Sequence, residues 1–216
     1  MGNFNRSVQR CLAVLRSFRS QPKQTLTSIA NETGLPHPTV LRLLGTLEEE
    51  GYVRRDQGLW TLTPQILEIG FAALHSMGVD QFVQGALQSL ADEFSGIVNL
   101  GEKNNDEVII IARATGAGEQ RSLFIMNQRV GNTLPASSAL YRALNVTENE
   151  WSMSRYPDHH VVSVGIPVTH GEPRSLALGI SVSIQAFTPE RIEHEVIPRA
   201  RQVRKEIRRL MHLGDI

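Results

Sequence analysis

Thr39, Arg42 and Thr46 stand at i, i+3 and i+7 in a stretch that runs from His37 to Leu47. On a helix they lie opposite Val40, Leu43, Leu44 and Leu47, which repeat at i, i+3, i+4 and i+7. His37 stands just before them. Hydroxyls, a guanidinium and an imidazole near a helix N-terminus suit base edges in a major groove and the adjacent phosphates. Arg54 and Arg55 follow a few residues later, where a short hairpin would carry two more cations to a neighbouring groove or to the backbone. Glu48, Glu49 and Glu50 sit at the far end of the helix and would be kept away from a polyanion. A solvated face on a small helical bundle uses the same residue types, so the pattern alone leaves both readings open.

These side chains need a scaffold, and the flanking periodicity supplies one. Val8, Leu12, Val14, Leu15 and Phe18 predict a first helix over Val8–Phe18 with an apolar stripe. Leu26, Ile29 and Ala30 predict a second, capped by Thr25 or Thr27 and ended by Gly34. Pro38 fits a first helical position, where its missing N–H costs little. Gly51 stops the third helix. Tyr52–Arg55 and Leu59–Leu62 then read as strands around Asp56-Gln57-Gly58. Helix, helix, turn, helix, hairpin is the order of a winged helix-turn-helix. A further amphipathic stretch from Pro64 to about His75 predicts a connecting helix, with a boundary at Ser76-Met77-Gly78.

The rest of the chain changes character. Val79–Phe94 is helical in pattern, and Ile97–Leu100, Val108–Ala112, Ser122–Ile125, Val161–Val168 and Ser175–Ile184 read as strands. Turns are expected at Asn104-Asn105-Asp106, Gly116-Ala117-Gly118 and Gly171-Glu172-Pro173. Ser138–Leu144 predicts a short helix, and Thr188 caps a final one with Pro189 at its first position, running to about Met211. The fold class expected is α+β: a winged helix-turn-helix over residues 1–66, a linker helix over 67–78, and a sensor-like sheet domain over 79–216.

Composition narrows the class of protein. No apolar run reaches the eighteen residues of a membrane span, and the N-terminus lacks an apolar signal segment, so no membrane partner is expected. Cys11 is the only cysteine, which excludes an intrachain disulfide and fits a cytoplasmic protein. Formal net charge is zero, yet residues 1–66 hold eight Lys/Arg against five Asp/Glu, and the remainder fourteen against seventeen. The basic bias lies at the end that carries the polar helix face.

The residues that carry a family likeness are Ser7-Val8-Gln9-Arg10, Leu26-Thr27-Ser28-Ile29-Ala30, Gly34-Leu35-Pro36, Thr39-Val40 with Arg42-Leu43-Leu44, and Leu47 through Val53. Thr61-Leu62 and Leu67-Glu68-Ile69-Gly70 continue it into the linker. In these the chain resembles the IclR family of bacterial transcriptional regulators. The resemblance implies a double-stranded DNA operator as partner, with Thr27, Ser28, His37, Thr39, Arg42, Thr46, Arg54 and Arg55 as its contacts. The family usually has a serine where Pro38 stands, which puts one phosphate contact in doubt.

Downstream the likeness is looser. It runs through Gly131 with Leu134-Pro135, Ala139 to Leu144, Ile166-Pro167-Val168, Leu178 through Ser183, and Phe187-Thr188-Pro189-Glu190. It implies a GAF-like domain that binds a small organic acid and oligomerises as a homodimer or tetramer. Position-by-position carry-over puts Gly131 and Leu134 at the pocket rim, with Ser163, Ser181 and Ser183 on its strands. Only sixteen residues separate Leu144 from Val161, where the family has several dozen. A pocket lacking one wall is therefore expected, and weak binding with it. Two rival readings stay open: a DNA-binding dimer whose second domain is only a scaffold, and a metabolite-binding enzyme on the sensor-like sheet.

Other constellations carry less. Asp158-His159-His160 with His170 would place adjacent histidines on opposite faces of a strand, so no metal site is expected. Ser137 and Ser138 lack a positioned His–acid pair, so no catalysis is expected. Gly116-Ala117-Gly118 has no strand-to-helix setting for a phosphate, and no cofactor is expected. The basic run Arg201–Arg209 reads as a solvated helix face.

Overall fold

The computed structural model describes residues 4–117, 128–171 and 174–213. The chain separates into two compact units, Met1–Ala73 and Leu74–Ile216.

In the first unit α1 spans Arg6–Ser17, α2 Leu26–Thr33 and α3 His37–Glu49. Each start has a physical cause. The Asn5 side chain accepts from the N–H groups of Ser7 (3.0 Å) and Val8 (3.3 Å), and Thr25 Oγ1 accepts from Ser28 N–H at 3.1 Å. Thr25, not Thr27, is thus the cap of α2. Gly34 ends α2 with φ +66°, and α3 has Pro38 in its first turn. Strands β1 (Val53–Asp56) and β2 (Leu59–Leu62) pair antiparallel through a two-residue turn, Gln57 and Gly58, both at positive φ. Val14, Phe18, Ile29, Ala30, Val40, Leu44, Leu47, Val53 and Trp60 form the core, with Cys11 partly buried against it. The predicted stripe of α1 is corrected here. Only its Val14–Phe18 end is buried, whereas Val8 and Leu12 are exposed, as is Phe4 ahead of the helix.

Gln24 joins the pieces of this unit. Its backbone exchanges both hydrogen bonds with Trp60 of β2 (3.0 and 2.7 Å). Its buried side chain donates to the Ser17 carbonyl at 2.6 Å and accepts from Ser28 Oγ at 2.8 Å. Helix α4 (Gln65–Ser76) follows the wing, and none of its residues is buried.

The second unit is a six-stranded antiparallel sheet in the order β5-β4-β3-β8-β7-β6. Its strands are β3 (Ile97–Asn104), β4 (Glu107–Thr115), β5 (Thr133–Leu134), β6 (Ser152–Tyr156), β7 (Val161–Thr169) and β8 (Leu176–Ser183). The predicted strand at 122–125 and part of the turn at 171–173 fall outside the described residues. Helices α5 (Gln81–Glu93) and α7 (Ile197–Leu210) cover one face, where Leu87, Leu90, Val98, Leu100, Leu178, Ile180, Val203 and Ile207 make the main core. The short α6 (Ala139–Ala143) sits on the other face with Val108, Ile110 and Ala177.

Four expectations change. The sixteen residues before Val161 do not merely shorten a loop: they supply β6, which pairs with β7 from Ser152↔Gly165 to Tyr156↔Val161. The last helix is not uniform. A single wide turn, Ile192–Val196, precedes α7, because Pro198 has no N–H to give the His194 carbonyl. The Arg201–Arg209 run is not wholly solvated either. Arg204 and Arg208 are buried and ion-pair with Glu148 at 3.3 and 3.4 Å, and Arg204 also donates to the Glu148 carbonyl at 2.7 Å. Burial lowers the Arg204 pKa, which the Glu148 charge partly offsets. His159 and His160 belong to a 3-10 turn and its left-handed end, not to a strand.

Gly165 and Gly179 are paired neighbours on the face that α6 covers. A Cβ on Gly179 would lie 2.7 Å from Leu140 Cδ1, and one on Gly165 would run into the Ala139 carbonyl and the Ala143 methyl. The helix backbone rests directly on the sheet there. Gly165→Ala should therefore lower stability by about 1–3 kcal/mol through overpacking, read as a lower midpoint in thermal denaturation. An unchanged midpoint would show that α6 is free to shift.

Candidate functional site

On α3 the exposed residues are His37, Pro38, Leu41, Arg42, Gly45, Thr46, Glu48 and Glu49, while Thr39 and Leu43 are half-buried. Arg42 thus lies near the middle of the outward face and Thr39 at its edge. Among the described residues, no side-chain partner holds the Arg42 guanidinium. Thr46 Oγ1 donates to the Arg42 carbonyl at 3.2 Å, so its proton is spent within the helix and its lone pairs remain. Exposed His37 and Thr27 meet at 3.3 Å between Nε2 and Oγ1, which brings α2 and the start of α3 to one surface. Ser28 does not join them freely: its hydroxyl is committed to Gln24 Oε1. Leu41, 47% exposed, is an apolar contact that the leucine-stripe reading missed, since it falls outside that repeat. Such a group suits a thymine methyl.

The two wing arginines differ. Arg54 is exposed, with no side-chain partner among the described residues. The Arg55 guanidinium lies over the Trp60 ring, 5.7 Å from its centroid, and the Arg55 N–H donates to Glu48 Oε1 at 3.2 Å. Glu48 is therefore a strut between the end of α3 and β1, beyond the remote charge that its position suggests.

A second concavity lies in the sheet unit, between α6 and the strands β3, β8 and β7. It is a small concavity, open to solvent, and is lined by Asn99, Leu134, Ser138, Tyr156, Ser163 and Ser181 among others. Ser163 and Ser181 are direct cross-strand partners whose Oγ atoms are 2.7 Å apart. The predicted Gly131 and Ser183 are not in the lining. Gly131 is exposed, with φ +89°, and its N–H bonds to the Ile110 carbonyl. Ser183 Oγ accepts from Gln185 N–H at the strand end. β6 brings Tyr156 to the pocket and fixes α6. Ser152 Oγ donates to the Ala139 carbonyl (2.5 Å) and Ser154 Oγ to that of Ser137 (2.9 Å), while Arg142 donates to the Met153 carbonyl.

Asn99 was missed although a signal existed: one polar residue inside the apolar run Ile97-Val98-Asn99-Leu100. It is 6% exposed, and its Oδ1 accepts from Arg113 Nη1 at 2.8 Å. Burial pushes the Arg113 pKa down from its ordinary value.

Comparison with known proteins agrees with this geometry. Residues 7–57 match the IclR helix-turn-helix domain. The chain is 27% identical over 176 residues to the Pca regulon regulatory protein of Pseudomonas putida, covering 81% of this chain and 60% of that protein. The chain thus spans less than two thirds of that relative. Among solved structures it is similar to an IclR family transcriptional regulator from Brucella abortus (TM-score 0.78, 25% identity, 94% of this chain and 91% of that one). It also shares its fold with an IclR homolog from Microbacterium hydrocarbonoxydans complexed with 4-hydroxybenzoate (TM-score 0.76, 14% identity, 96% and 100%).

The asymmetry of the wing can be tested on the protein alone. Arg55→Ala should lower the stability of the first unit by about 0.5–1 kcal/mol, the worth of an exposed cation–π contact, whereas Arg54→Ala should leave it unchanged. Equal denaturation midpoints for the two variants would show that the Arg55–Trp60 contact adds nothing.

Proposed function

We propose, for a chain that belongs to the IclR family of transcriptional regulators, that it recognises a DNA operator through α3 and the wing and responds to a small organic acid bound in the sheet unit. The observation that carries the reading is Arg42, a guanidinium near the middle of the outward face of α3 with no side-chain partner among the described residues, flanked by Leu41 and Thr46. A bidentate donor beside an apolar group and a hydroxyl is what base-edge readout uses. Arg54, and through their exposed edges His37 and Thr27, supply phosphate contacts, with Thr39 at the rim. Ser28 and Arg55 act mainly by holding this surface in shape.

The protein works as a homodimer. Val8 and Leu12 stand one turn apart on α1, with Phe4 ahead of its cap, and Leu67, Ile69 and Phe71 stand out from α4, all between 43% and 75% exposed. Two copies covering these faces would present two recognition helices to successive major grooves about 34 Å apart. An acid in the pocket then acts by favouring one spacing over another. The Pseudomonas relative and the 4-hydroxybenzoate bound to the Microbacterium homolog support an aromatic acid as the first ligand to try, and a catabolic operon as the target.

Random-sequence DNA selection, followed by binding of the winning site, tests the core of the reading. Arg42→Ala should cut discrimination between operator and random DNA by roughly 1–3 kcal/mol while the fold stays intact. A retained specificity ratio would remove α3 as the reader. Arg54→Ala should instead weaken all sequences alike and reduce the slope of log K against log salt by about one; loss confined to one base position would make the wing a sequence reader. Sedimentation that finds only monomer would overturn the dimer, and a dimer that binds DNA but ignores every acid would make the sheet unit a scaffold.

A further inference from the structure

We propose that Asn99 reads the ligand in the sheet pocket, and that Arg113 is the positioning residue that makes Asn99 a donor toward a small carboxylate. The proposal rests on the reading of this pocket as the effector site. Asn99 and Arg113 are directly opposed on β3 and β4, so their side chains share one face of the sheet. A guanidinium only donates. The amide oxygen of Asn99 must therefore face Arg113, which fixes an orientation that an amide otherwise leaves open. Both Nδ2 hydrogens are left over, and they have no partner among the described residues. They belong to a side chain that is 6% exposed and lines the pocket, so bulk water reaches them poorly.

The second donor lies diagonally across the sheet. Asn99 pairs with Gly179, and Ser181 stands two residues further along the same strand, a diagonal of about 7–8 Å between Cα atoms. In the Ser163–Ser181 pair one hydroxyl donates to the other, so one hydroxyl hydrogen remains to give. Asn99 and this pair can thus hold the two oxygens of one carboxylate. No acidic side chain is in the described lining to repel an anion, and no basic one is there to neutralise it. The positive charge comes from behind, through the Arg113–Asn99 hydrogen bond. A ligand whose polar end only donates would meet donors on every side.

Calorimetry on the full chain tests this with 4-hydroxybenzoate, benzoate and lactate, and with the carboxamide of whichever acid binds best. Asn99→Asp turns an acceptor and a negative charge toward the ligand. It should weaken the acid by roughly tenfold or more, the worth of a hydrogen bond to a charged group, while the carboxamide, whose NH2 can donate to Asp, loses little. Arg113→Met should weaken the acid several-fold, and Arg113→Lys, which still donates to Oδ1, should retain most of the affinity. If Asn99→Asp fails to fold, Asn99→Ser takes its place, with the acid again expected to lose roughly tenfold. Wild-type affinity for the acid in a folded Asn99 variant overturns the assignment. So does an equal loss for acid and carboxamide in Asn99→Asp, or for Met and Lys at position 113, since a merely structural role would produce that. Failure of the wild-type protein to bind any of the acids overturns the effector reading itself, and this proposal with it.

Discussion

The first unit depends on one buried amide. Gln24 is 1% exposed and lies outside every helix, yet it touches α1 through the Ser17 carbonyl, α2 through Ser28 and the wing through its backbone pairing with Trp60. An unpaired amide in such a place costs on the order of 1–3 kcal/mol. The three elements must therefore be held in register for Gln24 to be satisfied, and each partner's position implies the others'. The wing owes its placement to this joint and to Glu48, and the recognition surface owes its shape to the wing. Ser28, expected as a contact, also bonds into this joint through its hydroxyl, and Arg55 packs over Trp60 beside it.

The sheet unit solves a different problem. Its inner face must support a helix of five residues, too short to be stable on its own. Support comes from both sides: glycines let the backbone of α6 settle on the strands, and β6 holds its carbonyls with serine hydroxyls. The pocket is the space left beside that helix. Arg174 braces the opposite end of the unit, with a two-pronged hold on Glu102 of β3 (2.8 and 2.6 Å) and a third bond to the Met77 carbonyl (2.7 Å). The strand that carries Asn99 is thereby tied to the residue just beyond α4.

Local signals made the first unit readable: caps such as Thr25, the φ-positive glycines at 34 and 58, and leucines at helical spacing all act within a few residues. They misled where two apolar stripes share one helix. Nothing in α1 itself says that Val14 and Phe18 face the core while Val8 and Leu12 do not. In the second unit the informative contacts are distant in sequence. Ser152-Met153-Ser154-Arg155-Tyr156 is a weak strand signal, because an edge strand buries little and has no apolar alternation. Asn99 hides in a strand buried on both faces, and its meaning depends on Arg113, fourteen residues away across the bulged β3–β4 pairing. Of the predicted pocket residues, Leu134, Ser163 and Ser181 meet as expected because strand alternation placed them. Gly131 and Ser183 do not, because each sits where the chain turns.

Cys11 has a use that its half-buried position against the core of the first unit makes available. Burial raises its thiol pKa, so little thiolate is present near neutral pH, and only the thiolate reacts at an appreciable rate. Its partial burial beside the core slows alkylation further. With no other cysteine in the chain, the labelling rate under native conditions reports on the packing around α1 in the first unit, while the sheet unit stays silent. The protein carries its own reporter for one of its two halves.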